Sequence, residues 1–191
     1  SITANGASDV VTVNATALAD NATLTLAGSA ARTVTGLRGD LAASGVSGAL
    51  NATTVAVASG LSIATGSGSN TITATALTAG QTLTLTGSSA ATVTLNAGNL
   101  SAGAYTGNLT VTGGAGANTI TAGSGTNTIT GGGGADILTG GTGSDTFNFA
   151  SAANLAAATT IAGGAGSDTI QMTTAATLTD AGFLKASSVE T

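Results

Sequence analysis

Between Gly113 and Asn148 the chain repeats one nine-residue unit four times without a gap. The shared pattern is Gly-Gly-x-Gly-x-Asp/Asn-x-apolar-x. The glycines permit backbone angles with positive φ, the sixth residue offers an oxygen ligand, and the eighth is the only large apolar side chain. That eighth side chain must face inward, so the repeat restricts the chain to a stack of short coils. The units are GGAGANTIT (113–121), AGSGTNTIT (122–130), GGGGADILT (131–139) and GGTGSDTFN (140–148), and a fifth, GGAGSDTIQ, stands at 163–171.

A longer repeat occupies the first half, where residues 15–53 align without gaps onto residues 74–112. Short segments such as TLTL, TVT and TIT recur throughout, with aliphatic residues alternating with Thr. Alternation predicts strands with Leu, Ile and Val inside and Thr outside. Proline is absent, as expected where nearly every amide donates to the next coil. The sequence therefore predicts an all-β fold, a parallel β-roll or β-solenoid with short Ala-rich helical insertions.

Three stretches interrupt this pattern. We expect residues 37–53 and 96–108 to form bulging loops or single helical turns, and the Ala-rich stretch 150–162 to hold one short helix. A further helix is expected to begin near Asp180. The predicted organisation has three parts: a Thr/Ala-rich β-solenoid with the long repeats (1–112), a β-roll built from the nonapeptide units (113–171), and a helical turn leading into a further repeat (172–191).

Composition excludes several function classes. Charged residues are only 6% of the chain and the formal net charge is −5, which argues against a basic nucleic-acid surface. Cys and His are both absent, so disulfides, zinc sites, thiol nucleophiles and His-based catalysis are excluded. No stretch is apolar enough to span a membrane. The chain also lacks the usual catalytic motifs, and we predict that it is not an enzyme.

The glycine-rich units suit calcium, which prefers six to eight hard oxygen ligands. Two units complete one coil, so loop 113–118 stacks on loop 131–136, and loop 122–127 stacks on loop 140–145. We predict several bound ions, held by shared sixth residues and by main-chain carbonyls. Asn keeps an oxygen but loses a charge, so the Asn residues are auxiliary ligands. The predicted side-chain ligands are Asp136, Asp145 and Asp168 with Asn118 and Asn127, and the carbonyl residues beside them are Gly131, Gly133, Gly140, Thr142, Gly163 and Ala165.

Two degenerate units differ from the others. Asp9 stands sixth in ANGASDVVT (4–12), where Ala7 replaces the fourth-position glycine, and it is included as a further candidate ligand. Asn70 stands sixth in TGSGSNTIT (65–73). For this unit we favour an Asn ladder that satisfies itself by hydrogen bonds without a metal.

At 113–148 and 163–171 the sequence resembles the repeats-in-toxin (RTX, hemolysin-type) calcium-binding family, most closely in GGGGADILTGGTGSDTF (131–147). The resemblance implies a parallel β-roll, calcium-triggered folding and type I secretion to the extracellular space or cell surface. The Thr/Ala-rich remainder and the closing SSVET look like the bodies of bacterial RTX surface-layer and adhesin-like proteins. The frequent Asn at position six departs from the family pattern and removes a carboxylate from several of the units.

Three functions follow as hypotheses. The first is a structural module of a surface layer, extracellular filament or adhesin, which self-assembles as a homo-oligomer or head to tail. The second is the C-terminal secretion and folding domain of a type I secreted enzyme or toxin. The third is binding of ice or of cell-surface polysaccharide by the outward Thr residues.

Overall fold

The alternating Thr and aliphatic residues form short strands that the chain places in turn on two parallel sheets. The computed structural model describes residues 2–3, 6, 9–178 and 183–190. Odd-numbered strands form a ten-stranded sheet, the odd sheet, and even-numbered strands form a nine-stranded sheet, the even sheet. Each strand pairs in parallel with strands one coil away, and the chain is a β-solenoid of about eight turns. The predicted fold class is confirmed.

The elements follow in chain order. The odd sheet contains β1 (Ile2–Thr3), β3 (Thr23–Gly28), β5 (Asp40–Val46), β7 (Leu61–Ala64), β9 (Thr82–Thr86), β11 (Asn99–Ser101), β13 (Thr119–Thr121), β15 (Ile137–Gly141), β17 (Thr160–Gly164) and β19 (Ala186–Ser187). The even sheet contains β2 (Val10–Asn14), β4 (Ala31–Leu37), β6 (Leu50–Thr54), β8 (Asn70–Thr73), β10 (Ala91–Thr94), β12 (Leu109–Gly114), β14 (Thr128–Gly132), β16 (Thr146–Phe149) and β18 (Thr169–Met172). One helix, α1 (Ala152–Ala157), lies between β16 and β17.

Strand register explains the long repeat. In the even sheet Arg32 pairs with Leu50, Leu50 with Asn70, and Asn70 with Ala91, in steps of 18, 20 and 21 residues. Three coils therefore span the 59 residues that separate the aligned segments. In the nonapeptide region the step settles at 18 residues, as in Thr110 with Thr128. The sequence repeat thus reflects whole turns of the solenoid.

The core is a thin layer between the two sheets. The eighth residues Ile120, Ile129, Leu138 and Phe147 are all fully buried, whereas Ile170, in the last even strand, is only partly buried. Earlier coils fill the same layer with Leu, Ile, Val and Ala. One inward apolar side chain from each half-coil is enough to form this core, because the coils before and after cover it on both sides.

The expectation of a bulging loop or helical turn in residues 37–53 was wrong, because this stretch contains β5 and most of β6. Inward and outward positions still alternate there, but the inward residues include small ones such as Ala43 and Ala52, which hides the pattern. Residues 96–108 contain the three-residue strand β11 with irregular segments on both sides, so a loop is present there and a helical turn is not.

The helix predicted within 150–162 is confirmed as α1. The Ser151 hydroxyl caps it by accepting the N–H of Asn154 at 3.1 Å, and Leu155 is buried. The helix start expected near Asp180 lies outside the described residues. Among the residues that the structure describes, no helix has the length and apolar character needed to cross a bilayer.

Candidate metal centre

Sixth residues of the repeats stack at the turns that lead from the odd sheet to the even sheet. The backbone N–H of Asn127 donates to Asp145 Oδ1, and the N–H of Asp145 donates to Asp168 Oδ1, both at 2.8 Å. One coil earlier, the N–H of Leu109 donates to Asn127 Oδ1 at 3.0 Å. We call Leu109, Asn127, Asp145, Asp168 and the even-sheet residues in register before them the main row. Each Asp in the main row is thus fixed through one oxygen to the preceding coil.

The turns on the other side of the stack hold a shorter row. There the N–H of Asn118 donates to Asp136 Oδ1 at 2.9 Å. Helix α1 takes the place of the next loop, and the carbonyl of Asp136 accepts the N–H of Thr159 at 2.7 Å. The loop pairs predicted from the sequence are therefore stacked as expected, one pair on each side of the solenoid.

The second carboxylate oxygens have no hydrogen-bond donor. Oδ2 of Asp136, Asp145 and Asp168 is buried, and within the described part of the chain none of the three has a hydrogen-bond partner. The side chains themselves are at most 1% exposed. A buried carboxylate oxygen without a donor costs several kcal/mol unless a cation neutralises it.

First-position glycines open a space beside two of these oxygens. A Cβ atom on Gly140 would clash with Asp145 Oδ2 and would lie 2.7 Å from the carbonyl oxygen of Gly163 in the next coil. A Cβ atom on Gly163 would meet Asp168 Oδ2 and the carbonyl oxygen of Ser188 in the same way. Each space is therefore lined by a carboxylate oxygen from one coil and a carbonyl oxygen from the next.

On the other side the space is bounded differently. A Cβ atom on Gly131 would lie 2.5 Å from Asp136 Oδ2 and 3.3 Å from Leu138 Cδ1. No carbonyl from a following loop is among its nearest neighbours, because α1 replaces that loop. A Cβ atom on Gly113 would meet the carbonyl oxygen of Gly131 and Asn118 Oδ1.

Third-position residues join the loops of successive coils. Their N–H groups donate to second-position carbonyls one coil earlier: Gly133 to Gly114 at 2.8 Å, Thr142 to Gly123 at 3.4 Å and Ala165 to Gly141 at 2.9 Å. Second-position glycines in the Asp loops take left-handed angles, with φ of 98° at Gly132, 120° at Gly141 and 107° at Gly164. Only glycine adopts such angles without strain, which explains its place in the repeat.

Burial changes the acidity of these groups. Desolvation raises the pKa of the Asp136 carboxyl, and the hydrogen bond from Asn118 N–H partly offsets this. Desolvation also raises the pKa of Asp145, against the hydrogen bonds from Asn127, and the nearby charge of Asp168 raises it further. In both groups the hydrogen bonds offset only part of the cost of burying the charge.

Two of the Asn units are closed by hydrogen bonds. Asn118 Nδ2 donates to the carbonyl of Gly98 at 2.6 Å, and Asn118 Oδ1 accepts the N–H of Gly114 at 3.1 Å. Asn70 Nδ2 donates to the carbonyl of Gly68 at 2.8 Å. Asn70 Oδ1, however, is buried without a donor, and the residues in register with Asn70 are Leu50 and Ala91, so the self-satisfied Asn ladder that we expected of this unit does not form.

Asp9 does not lie in the main row. Val11, not Asp9, is in register with Arg32, which pairs in turn with Leu50 of the row. Asp9 is exposed and stands two residues before the row position. The structure therefore does not bring Asp9 together with the other candidate ligands.

Glu190 is a residue that the sequence analysis missed. Its Oε2 accepts the N–H of Asp168 at 2.6 Å, so it repeats the contact that Asp168 makes with Asp145. The signal in the sequence is a carboxylate 22 residues beyond Asp168, close to one coil. No glycine unit surrounds Glu190, which is why the nonapeptide pattern does not reveal it.

The donor set fits calcium. In the part of the chain that the structure describes, no three acidic side chains converge on one point, so an ion here takes carboxylate oxygens singly and main-chain carbonyls for the rest. Calcium accepts such mixed oxygen sets with flexible geometry. The residues that would hold it are Asp145 with the carbonyl of Gly163, and Asp168 with the carbonyl of Ser188. Asp136 offers a carboxylate oxygen without a carbonyl from the next loop.

Comparison with known proteins agrees with this site. A family model described as the RTX calcium-binding nonapeptide repeat matches residues 112–147 and 156–171, in four copies. Neither the curated proteins nor the solved structures gave a significant match. The matched residues are RTX repeats, and RTX repeats bind several calcium ions in each repeat region.

Proposed function

We propose, from the RTX repeats at 112–147 and 156–171, that this calcium-binding structural module belongs to a secreted bacterial surface protein, in a surface layer, filament or adhesin. In this proposal calcium completes the C-terminal coils after export, and the finished solenoids associate end to end. RTX repeats are typical of secreted proteins, which supports an extracellular location and type I secretion.

One observation carries the calcium part of the proposal. Asp145 Oδ2 and Asp168 Oδ2 are buried without a hydrogen-bond donor, each beside a glycine that leaves room for an ion. Without a cation these levels combine a desolvated charge with loops that lose much entropy on ordering. Binding free energy therefore becomes folding free energy, and the coils form where calcium is abundant.

The C-terminal end of the stack supports end-to-end association. The even sheet ends at β18, and among the described residues this strand pairs on one side only, with β16. Beside it lies a pocket of about 470 Å³ lined mainly by apolar side chains, including Ile170, Phe183 and Val189. Leu184 is 83% exposed nearby. Such an edge accepts a further parallel strand, and in the proposed assembly another copy of the chain supplies it.

Asp145→Asn tests the calcium site. We expect at least one calcium fewer per chain by metal analysis, because the variant loses the carboxylate oxygen that lines the space beside Gly140. Asp40→Asn is the matched control: Asp40 Oδ1 accepts the N–H of Ser62 at 2.8 Å, far from the repeats. The control should bind as much calcium as the wild type. A wild-type chain that binds no calcium would overturn this part of the proposal.

Leu184→Thr tests end-to-end association. In millimolar calcium the wild type should form filaments or lattices visible by electron microscopy, and the variant should stay dispersed. Ile137→Thr is the control. It also replaces an aliphatic residue by Thr, but on the side of the stack, where Ile137 pairs with Thr119 and Thr160. It should assemble like the wild type. A wild-type chain that remains monomeric in millimolar calcium would contradict the assembly proposal and leave calcium binding intact.

A further inference from the structure

We propose that, in several coils of the main row, side-chain N–H groups take the place of calcium by donating to the loop oxygens. Asn127 in particular excludes an ion from its own loop. The inference rests on the proposed calcium sites at the Asp levels. It predicts which levels of the solenoid need metal and which do not.

Asn127 fills its loop with its own amide. Its Nδ2 lies 2.7 Å from the carbonyl oxygen of Gly125, 3.2 Å from that of Gly140 and 2.9 Å from Asp145 Oδ1, with the carbonyl oxygen of Gly123 at 3.5 Å. Four oxygens from two successive loops thus surround one nitrogen. Such a set of carbonyls and a carboxylate is what a calcium ion would use, and here the two N–H groups of the amide donate into it instead.

The same position is filled by nitrogen in earlier coils. Asn70 lies in the main row three levels before Asn127, and it also donates to the carbonyl two residues before itself. Arg32 lies two levels before Asn70, is only 1% exposed, and donates from Nη1 to the carbonyl of Ala30 at 2.8 Å. Its Nη2 donates to the carbonyl of Ala27. The guanidinium therefore brings a permanent positive charge to the loop carbonyls of its own coil.

The backbone of the Asn loops differs from that of the Asp loops. Second-position glycines are left-handed in all three Asp loops, at Gly132, Gly141 and Gly164. The corresponding described glycines of the Asn loops, Gly66, Gly114 and Gly123, lie outside the left-handed region. The nonapeptide pattern therefore adopts two backbone conformations. One occurs in the Asn loops, which have an internal donor, and the other in the Asp loops, which have a carboxylate oxygen without a donor.

At Asp145 and Asp168 the nitrogen is replaced by oxygen. These side chains have no N–H to offer, and their Oδ2 atoms are buried without a partner. The main row therefore changes from donors supplied by the chain at Arg32, Asn70 and Asn127 to positions that require a cation.

Asn127→Asp tests the inference directly. The variant exchanges the amide nitrogen for a carboxylate oxygen within the same cage, so it should bind one calcium more per chain than the wild type. Its thermal stability should become more dependent on calcium. Binding is measured by calorimetric titration with calcium chloride. Asn51→Asp adds the same charge at an exposed position of β6 and should leave the number of ions unchanged.

Asn127→Ala gives a second, independent readout. It removes the amide and should lower the melting temperature at every calcium concentration, with the wild-type number of ions retained. Loss of one calcium in Asn127→Ala would show that Asn127 is a ligand and would overturn the inference. An unchanged calcium count in Asn127→Asp would also overturn it. If the wild type binds no calcium at all, the proposed function fails. This result is distinguishable from failure of the inference about Asn127, in which the wild type does bind calcium.

Discussion

At the scale of single residues, one atom separates two kinds of repeat. Asn and Asp have nearly the same shape. Yet Asn127 Nδ2 lies within hydrogen-bond distance of four oxygens, whereas Asp145 Oδ2 has no donor. In the first half of the chain, Asp20 has hydrogen-bond donors for both carboxylate oxygens. Asp20 Oδ2 accepts the N–H of Ala58 at 2.8 Å, and its Oδ1 accepts Arg38 Nε at 3.1 Å.

Gly140→Ala should weaken calcium binding. The new methyl group would occupy the space between Asp145 Oδ2 and the carbonyl of Gly163. We expect the apparent calcium dissociation constant to rise at least about tenfold, or about 1.4 kcal/mol. In Gly133→Ala the nearest atoms to the new Cβ, in Ala115, lie 3.8 Å away, so affinity should be unchanged. Equal affinities in the two variants would show that the space beside Gly140 holds no ion.

Asp20→Asn should show a pH-dependent loss of stability. The N–H of Ala58 and then Arg38 hold the pKa of Asp20 below its ordinary value of 3.8. A lowered pKa means that ionised Asp20 stabilises the fold above pH 3.8 and that this contribution disappears as the pH falls through the folded-state pKa. The melting temperatures of wild type and variant should therefore differ at pH 7 and converge in acid. A difference that grew on acidification would contradict this assignment.

At the scale of elements, each coil contributes little core of its own and depends on its neighbours. Phe147 lies between Ile129 and Ile170 in the even sheet and is fully buried. Ala, Leu, Val and Phe all serve at equivalent inward positions, because the layer is thin and each side chain is covered by the next coil. This tolerance explains how the long and the short repeats share one solenoid.

Phe147→Ala should destabilise the stack by about 3–5 kcal/mol, because it leaves a cavity that neighbouring coils cannot close. Denaturant unfolding in saturating calcium measures the loss. Thr110→Ala, on the exposed face of β12, should change stability by no more than about 0.5 kcal/mol. Comparable losses in the two variants would mean that the inward layer is not the main source of cohesion.

The sequence was sufficient for the fold class and the stacking of the loops because both depend on periodicity. Alternation placed Ile129 and Phe147 inside, and the nine-residue repeat placed Asp145 beside Asn127. Periodicity did not reveal β5, whose inward positions are partly filled by Ala, or Glu190, which lies outside any glycine unit. The hydrogen bonding of Asn127 was also inaccessible, because it depends on which end of an amide faces four oxygens.

At the scale of the whole molecule, the two halves of the solenoid should respond differently to chelation. In the early turns Arg32 and Asn70 donate to loop carbonyls, whereas Asp145 and Asp168 each have a buried carboxylate oxygen without a donor. The difference follows the order of the chain, so the calcium requirement is concentrated in the later coils.

A chelator should therefore abolish amide protection in residues 113–171 first and lower the β signal in circular dichroism. Hydrogen exchange should show the strands of the first half remaining protected longer, because their turns need no ion. At 100 times the dissociation constant, each site contributes about 2.7 kcal/mol. A spectrum and exchange pattern unchanged by chelator would show that the apolar layer alone maintains the stack.

The restriction of strand pairing to adjacent coils has a mechanical consequence. Because each strand in the described part of the chain bonds only to strands of the adjacent coils, tension applied at the C-terminal end acts on one coil at a time. Each 18-residue coil releases roughly 60 Å of chain, at about 3.4 Å per residue. The molecule would lengthen in steps under load, and every bound ion would make one step harder to pull out.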